Sequence, residues 1–205
     1  MSSQLVSPGP DRIPQLDGLR GFAILMVLVW HCVAGFTTTE PGSFAAYLLV
    51  PFRLTWSGVD LFFVLSGYLI GGILLDTRQA PGYFQRFFLR RAFRILPVYY
   101  VVWCLFALGV WAHRANVISN DFLFEHSADL FWYPLFLQNW AIVAEKEFAI
   151  NALSVSWSLC IEEQFYLLFP FLLRFMPSSG KLCLVLASLI VAALLLRASI
   201  VVFYP

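Results

Sequence analysis

The stretch LCLVLASLIVAALLLRASIVVF, residues 182–203, carries a single charge, Arg197. About 20 helical residues cross the roughly 30 Å of bilayer hydrocarbon, so this stretch is long and apolar enough to span it. Its apolar residues run on without alternation of period two, which excludes a barrel strand. Toward the N-terminus, residues 19–36, 57–75, 95–111 and 156–175 have the same character. A shorter run, LFWYPLFLQNWAIVA at residues 130–144, is interrupted by Pro134, Asn139 and Trp140. It predicts either a short span or a re-entrant segment buried against protein. The fold class is therefore all-α: a polytopic integral membrane helical bundle of five or six transmembrane helices, one domain over residues 1–205, led by a polar, Pro-rich segment at 1–18.

Composition agrees. Of 205 residues, 60% are hydrophobic and 12% charged, whereas a soluble domain carries about 25% charged residues. The net charge of +1 excludes a nucleic-acid binder that works through a basic face, and an acidic disordered chain. Arg outnumbers Lys eleven to two, which favours forked over point-charge recognition of anions. Cys32, Cys104, Cys160 and Cys183 sit singly in apolar runs and read as buried thiols, neither disulfides nor metal ligands. His113 and His126 have no partner at ligand spacing, so no metal site is expected. The first apolar run lacks an Ala-x-Ala exit and should persist as an anchor.

Basic residues set the expected orientation. Residues 76–94 hold Arg78, Arg86, Arg90, Arg91 and Arg94 against Asp76 alone, and read as cytoplasmic. Residues 114–129 set Asp121, Glu125 and Asp129 against one Arg, and read as external. Arg12 and Arg20 place the N-terminus in the cytoplasm at a multi-pass cell membrane protein. The segment YFQRFFLRRAFRIL, residues 83–96, mixes aromatic and Arg residues, as a helix lying in the headgroup plane does. It reads either as an anchor for anionic membrane lipids or as a site where Arg forks grip phosphates.

Ionisable groups inside hydrocarbon are costly, and each is a candidate for function. Arg20 and His31 lie eleven positions apart on one helix, a rise of about 16 Å with an angular offset of about 20°. One helix thus offers a cation at its cytoplasmic end and a titratable base deeper on the same side. The plainer alternatives are a positive-inside anchor for Arg20 and an interhelical hydrogen bond for His31. Glu162 and Glu163 point about 100° apart. Gln164 and Tyr166 extend their polar patch, and Glu162 shares a face with Tyr166 at i, i+4. Asp60 fits an N-terminal helix carboxylate, with Ser57 as the cap. Ser66-Gly67 and Gly71-Gly72 suit close helix packing.

Four segments together resemble the type-3 membrane acyltransferase family, whose NodX-type and O-antigen acetylases share this layout. They are LDGLRGFAILMVLVWH (residues 16–31, with Asp17, Arg20 and His31), GVDLFFVLSGYLI (58–70, with Asp60 and Ser66), RRAFRILPVYY (90–100, with Arg91 and Arg94) and WSLCIEEQFYLLFP (157–170, with Trp157, Glu162, Glu163, Gln164 and Tyr166). The resemblance implies an O-acyltransferase that moves an acyl group, an acetyl above all, from acyl-CoA to a hydroxyl of a carbohydrate or lipid-linked glycan. It implies about ten spans in a whole member, so a chain with room for six reads as the N-terminal portion.

On that reading the coenzyme A phosphates suit Arg91, Arg94 and Arg20. Neutral His31 acts as general base on the acceptor hydroxyl, or relays the acyl group. Glu162, Glu163 or Asp60 holds its tautomer. Asp17, Ser66, Trp157, Gln164 and Tyr166 support them. Acyl-CoA enters as donor substrate, and no cofactor is permanently bound. The aromatic residues Trp132, Tyr133, Trp140 and Trp157 fit either sugar stacking or an interfacial belt. Two other functions use the same residues: a proton-coupled transporter, though no inverted repeat is evident, and an inactive acyltransferase fragment.

Overall fold

Pro14 opens the first helix because its fixed φ suits the first turn and its missing N–H would have no intrahelical partner there. In this computed structural model, which describes residues 13–34, 40, 42–124, 129–145, 153–176 and 178–203, that helix is α1, Pro14–Val29, and it runs on into a π-turn, Trp30–Ala34. The others are α2, Phe44–Arg53; α3, Gly58–Asp76; α4, Tyr83–Arg114; α5, Asp121–Phe124; α6, Gln138–Glu145; α7, Trp157–Phe175; and α8, Ser179–Phe203. The described residues are helical or irregular, with no strand among them. Arg12, Glu125 and His126 lie outside the described residues. The chain divides into two compact units, Met1–Thr77 and Arg78–Pro205.

In the first unit α1 packs on α3, and the sequence allows it at one point. A Cβ at Gly58 would lie 2.7 Å from the Ala23 carbonyl oxygen and 2.7 Å from the Met26 Cβ. Only glycine admits so close a crossing. The small-residue contact expected at Gly67 and Gly72 is absent, since an added Cβ at either would meet nothing within 4 Å. Ser57 does not cap α3 either. Its backbone is already helical, and its hydroxyl donates back to the Leu54 carbonyl at 2.7 Å, closing the 3-10 turn Leu54–Ser57. That turn joins α2 to α3, so the apolar helical stretch is Phe44–Asp76, longer at its start than residues 57–75.

In the second unit α4 has 32 residues, a length of about 48 Å. The Arg-rich residues 83–96 are therefore no separate helix in the headgroup plane. They are the first part of a helix that continues through the apolar run and overshoots the hydrocarbon by about 18 Å. Pro97 forgoes only the bond to the Phe93 carbonyl and does not stop it. α7 lies along α4: Tyr83 donates its hydroxyl to the Pro170 carbonyl at 3.1 Å, and Phe84 stacks on Phe171 at 4.7 Å. Farther along α4, Phe106 and Val110 form a core with Tyr133 and Leu153.

Residues 130–144 resolve into a 3-10 turn, Leu130–Trp132, an irregular passage with Phe136 at φ 53°, and α6. The eight residues of α6 rise about 12 Å, too little to cross a bilayer. Side chains of neighbouring helices satisfy the irregular backbone. Trp103 donates to the Leu130 carbonyl (3.3 Å), Tyr99 to Tyr133 (2.8 Å), Tyr100 to Pro134 (3.0 Å) and Gln164 to Phe136 (3.0 Å). Non-helical backbone persists at membrane depth only when protein supplies its partners in this way.

Among the described residues, four helical stretches are long and apolar enough to cross a membrane: Pro14–Val33, Phe44–Asp76, Tyr83–Arg114 and Ser179–Val202. α7 has 19 residues, but Glu162, Glu163, Gln164 and Arg174 lower its apolarity. α8, which holds the 182–203 stretch, has no buried residue in its most apolar window. Of the cysteines only Cys160 is buried. Cys32, Cys104 and Cys183 are exposed on the outer faces of their helices, because an apolar run that faces lipid has no need to bury its thiols.

Candidate active site

The first unit contributes His31, at the second position of the π-turn. Such turns break the regular backbone ladder and are frequent at functional positions. The α-helical phase that aligns Arg20 with His31 holds as far as Val29, and the helix widens from Trp30 onward. The half-buried His31 ring places Nδ1 2.8 Å from the Val27 carbonyl oxygen. A carbonyl can only accept, so Nδ1 carries a proton, and in the neutral ring Nε2 keeps its lone pair. A backbone carbonyl on its own helix thus fixes the tautomer, where a carboxylate was expected.

Arg20, half-buried, sets its guanidinium carbon 5.5 Å from the Phe62 ring centre. That contact joins the Arg20 end of α1 to α3 through a cation–π interaction. Asp17 and Asp60 occupy the first turns of α1 and α3, where the helix dipole favours a carboxylate, and both are exposed. Ser66 is buried in α3.

The second unit gathers Arg91, Glu163 and Tyr166. Together with Phe88, Ala92, Leu96 and Leu167 they line a cavity of about 190 Å³ between α4 and α7. The Arg91 guanidinium carbon lies 4.1 Å from the centre of the Tyr166 ring and 5.7 Å from that of Phe87. Tyr166 donates its hydroxyl to Glu162, as the i, i+4 spacing predicts. Glu163 Oε1 is buried with no hydrogen-bond partner. Arg94, three positions beyond Arg91, is exposed, as are Arg86 and Arg90. Trp157 is the half-buried first residue of α7.

Gln164 faces away from this cavity and pairs reciprocally with Asn139: its Nε2 donates to Asn139 Oδ1 at 3.1 Å, and Asn139 Nδ2 donates to Gln164 Oε1 at 3.3 Å. Beside them Gln138, buried, donates to Tyr99 (3.2 Å) and Ser156 (2.8 Å) hydroxyls. Gln138, Asn139 and Tyr99 are absent from the candidates that sequence reasoning selects. Their signal was the interruption itself: amides and a proline inside a short apolar run mark backbone that needs partners, and the hydroxyl-bearing aromatics at 99 and 100 on the adjacent helix are the donors.

The first unit thus carries a half-buried imidazole in an apolar helix, and the second, by itself, a cavity lined by Arg91 and Glu163; both belong to a helical membrane protein. The chain belongs to the acyltransferase type-3 family, matching its acyltransferase domain over residues 13–205. It is 30% identical over 193 residues to the O-acetyltransferase OatA of Staphylococcus aureus, covering 91% of this chain and 29% of OatA. It is 32% identical over 198 residues to YrhL of Bacillus subtilis, provisionally named a peptidoglycan O-acetyltransferase, covering 88% of this chain and 27% of YrhL. The chain thus spans under a third of the length of the curated relatives it matches. No solved structure matches it.

Proposed function

We propose that this chain carries the membrane part of an O-acetyltransferase, which moves an acetyl group from acyl-CoA to a hydroxyl of a carbohydrate or lipid-linked glycan. The observation that carries the reading is the His31–Val27 hydrogen bond, in a chain of acyltransferase family. It commits Nδ1 to donation, so Nε2 is the ring nitrogen that serves as a base inside an apolar helix. Nε2 takes the proton of the acceptor hydroxyl as its oxygen bonds to the thioester carbonyl carbon. The carbon–sulfur bond then breaks, and the coenzyme A thiolate leaves with that proton from Nε2. The Val27 carbonyl holds Nδ1–H throughout and stabilises the transient imidazolium.

In the second unit Arg91 and Arg94 supply forked donors for the nucleotide phosphates of the donor, and Arg20, in the first unit, is a further guanidinium of the same chemistry. Glu163, on the cavity that Arg91 lines, is the carboxylate best set to meet a bound group, because one of its oxygens lacks a partner. Asp60 and Glu162 act as helix-terminal and tyrosine-holding carboxylates. α7 serves as a fifth crossing, with its polar residues turned toward α4 and residues 136–139 while the exposed Leu168 and Phe175 face lipid. The N-terminus and the Arg-rich start of α4 face the cytoplasm, where acyl-CoA is made.

The test uses the full-length protein in sealed membrane vesicles supplied with labelled acetyl-CoA. Transfer of label to glycan hydroxyls with release of free coenzyme A supports the reading. Proton or solute movement that proceeds with no acetyl-CoA present identifies a transporter instead. Correct insertion with neither activity identifies an inactive chain.

A further inference from the structure

Arg91 occupies a corner formed by two aromatic rings. Its guanidinium carbon is 4.1 Å from the centre of the Tyr166 ring and 5.7 Å from that of Phe87, and the two rings meet edge to face at 6.3 Å with an interplanar angle of 81°. Both rings are buried, Tyr166 at 2% exposure and Phe87 at 7%. The Tyr166 hydroxyl is held by Glu162 one turn earlier on α7. A ring fixed at its edge and at its hydroxyl is a rigid platform. An arginine side chain is otherwise long and rotamer-rich, and must be ordered before it can grip anything.

We infer that Tyr166 is a positioning residue: its ring holds the Arg91 guanidinium at the wall of the α4–α7 cavity, ready for the phosphates of a nucleotide-bearing donor. The inference rests on the assignment of Arg91 to those phosphates. A cation–π contact uses the positive charge and the π face of the ring, so it takes up none of the five N–H donors. Those donors stay available for a bidentate grip on phosphate oxygens. A neighbouring carboxylate in place of the ring would hold the arginine more tightly but would compete with the phosphate for the same N–H groups. Glu163 lines the same cavity and feels the Arg91 charge, but its buried Oε1 takes no hydrogen bond, and Glu162 is engaged by the Tyr166 hydroxyl.

Pantetheine has the thiol arm of coenzyme A without its nucleotide phosphates, and it separates positioning from general damage. Binding of coenzyme A and of pantetheine is measured with the full-length protein in lipid nanodiscs. Arg91→Ala should lower the preference for coenzyme A, leaving only the part that the other arginines supply. Should that preference stay at the parent's level, Arg91 does not hold the phosphates, and both the assignment and the inference fall. Tyr166→Leu should weaken coenzyme A binding by about 2- to 30-fold, the range of a cation–π contact, and leave pantetheine binding unchanged. Tyr166→Phe, which keeps the ring, should retain the preference. If Arg91→Ala lowers the preference while Tyr166→Leu keeps it at the parent's level, the positioning role is refuted and the phosphate assignment stands. A Tyr166→Leu protein that binds neither ligand is misfolded, and the decision then passes to Tyr166→Met, which is held to the same criterion.

Discussion

The Nδ1–H of His31 is donated to the carbonyl of Val27, four residues earlier on the same helix, at 2.8 Å. This relationship ties the side chain that sequence reasoning singles out to a local irregularity that it does not foresee. The helix changes from α to π one residue before the imidazole. The Val27 carbonyl also takes the Trp30 N–H, so the imidazole is a second donor to an oxygen that has two lone pairs.

The first prediction follows. His31→Ala removes the base and leaves the donor phosphate groups untouched, so acetyl transfer should fall by about 10²- to 10⁴-fold, while coenzyme A binding to the full-length protein changes little. His31→Gln tests the role of Nε2 more sharply. Its amide can still reach a carbonyl, but it has no basic nitrogen, so it should be as inactive as the alanine variant. Near-normal transfer by either variant rules His31 out as the base.

The second prediction concerns the α1–α3 crossing. Within lipid there is little hydrophobic gain from bringing two helices together, so close packing has to supply the stability. A methyl group at Gly58 would sit 2.7 Å from a backbone oxygen of α1, which cannot swing aside as a flexible side chain would. Gly58→Ala should therefore destabilise by about 1–3 kcal/mol, seen as a lower midpoint of thermal unfolding in detergent. Gly67→Ala, facing open space, should match the parent. Equal midpoints for all three proteins would show that the crossing is not tight at Gly58.

Much of the architecture was legible in the sequence, because apolar length is a strong signal. The described residues of the runs at 19–36, 57–75, 95–111, 156–175 and 182–203 each fall on a helix. Boundaries were less legible. The α4 helix absorbs the Arg-rich segment, since nothing between Phe88 and Ile95 marks a stop, and α2 with its 3-10 turn extends the second run upstream. At the site, the spacing of Glu162 and Tyr166 put them on one face, where the tyrosine hydroxyl meets the carboxylate. The divergence of Arg91 and Arg94 was not legible: residues three apart share a side of a helix, but which of them turns to a neighbour depends on where that neighbour lies. Here Arg91 meets α7, while Arg94 stays exposed. Nor can spacing reveal that Phe136 adopts φ 53°, a conformation costly for a bulky side chain. Tyr99 stacking on it at 4.4 Å and Gln164 bonding its carbonyl hold it there, and both are tertiary contacts.

The third prediction tests that tertiary hold through the Asn139–Gln164 pair. The two amides satisfy each other in both directions, and Gln164 also donates to the Phe136 carbonyl. Asn139→Leu strands a donor and an acceptor on Gln164, whereas Gln164→Leu strands Asn139 and leaves Phe136 without that donor. Each single substitution should cost about 1 kcal/mol, the low end of the penalty for unpaired polar groups, since both amides are half-buried. The double variant removes both amides at once, so the mutual penalty disappears and only the loss at the Phe136 carbonyl remains. Its total cost should fall short of the sum of the two by about 0.5 kcal/mol or more, the low end of the coupling seen between residues in direct contact. Hydrogen exchange at residues 133–137 gives the local readout. It should speed up in Gln164→Leu and in the double variant, which both free the Phe136 carbonyl, and less so in Asn139→Leu. Strictly additive stabilities would mean that the two amides do not pair, and that α7 does not hold the irregular backbone ahead of α6 through them.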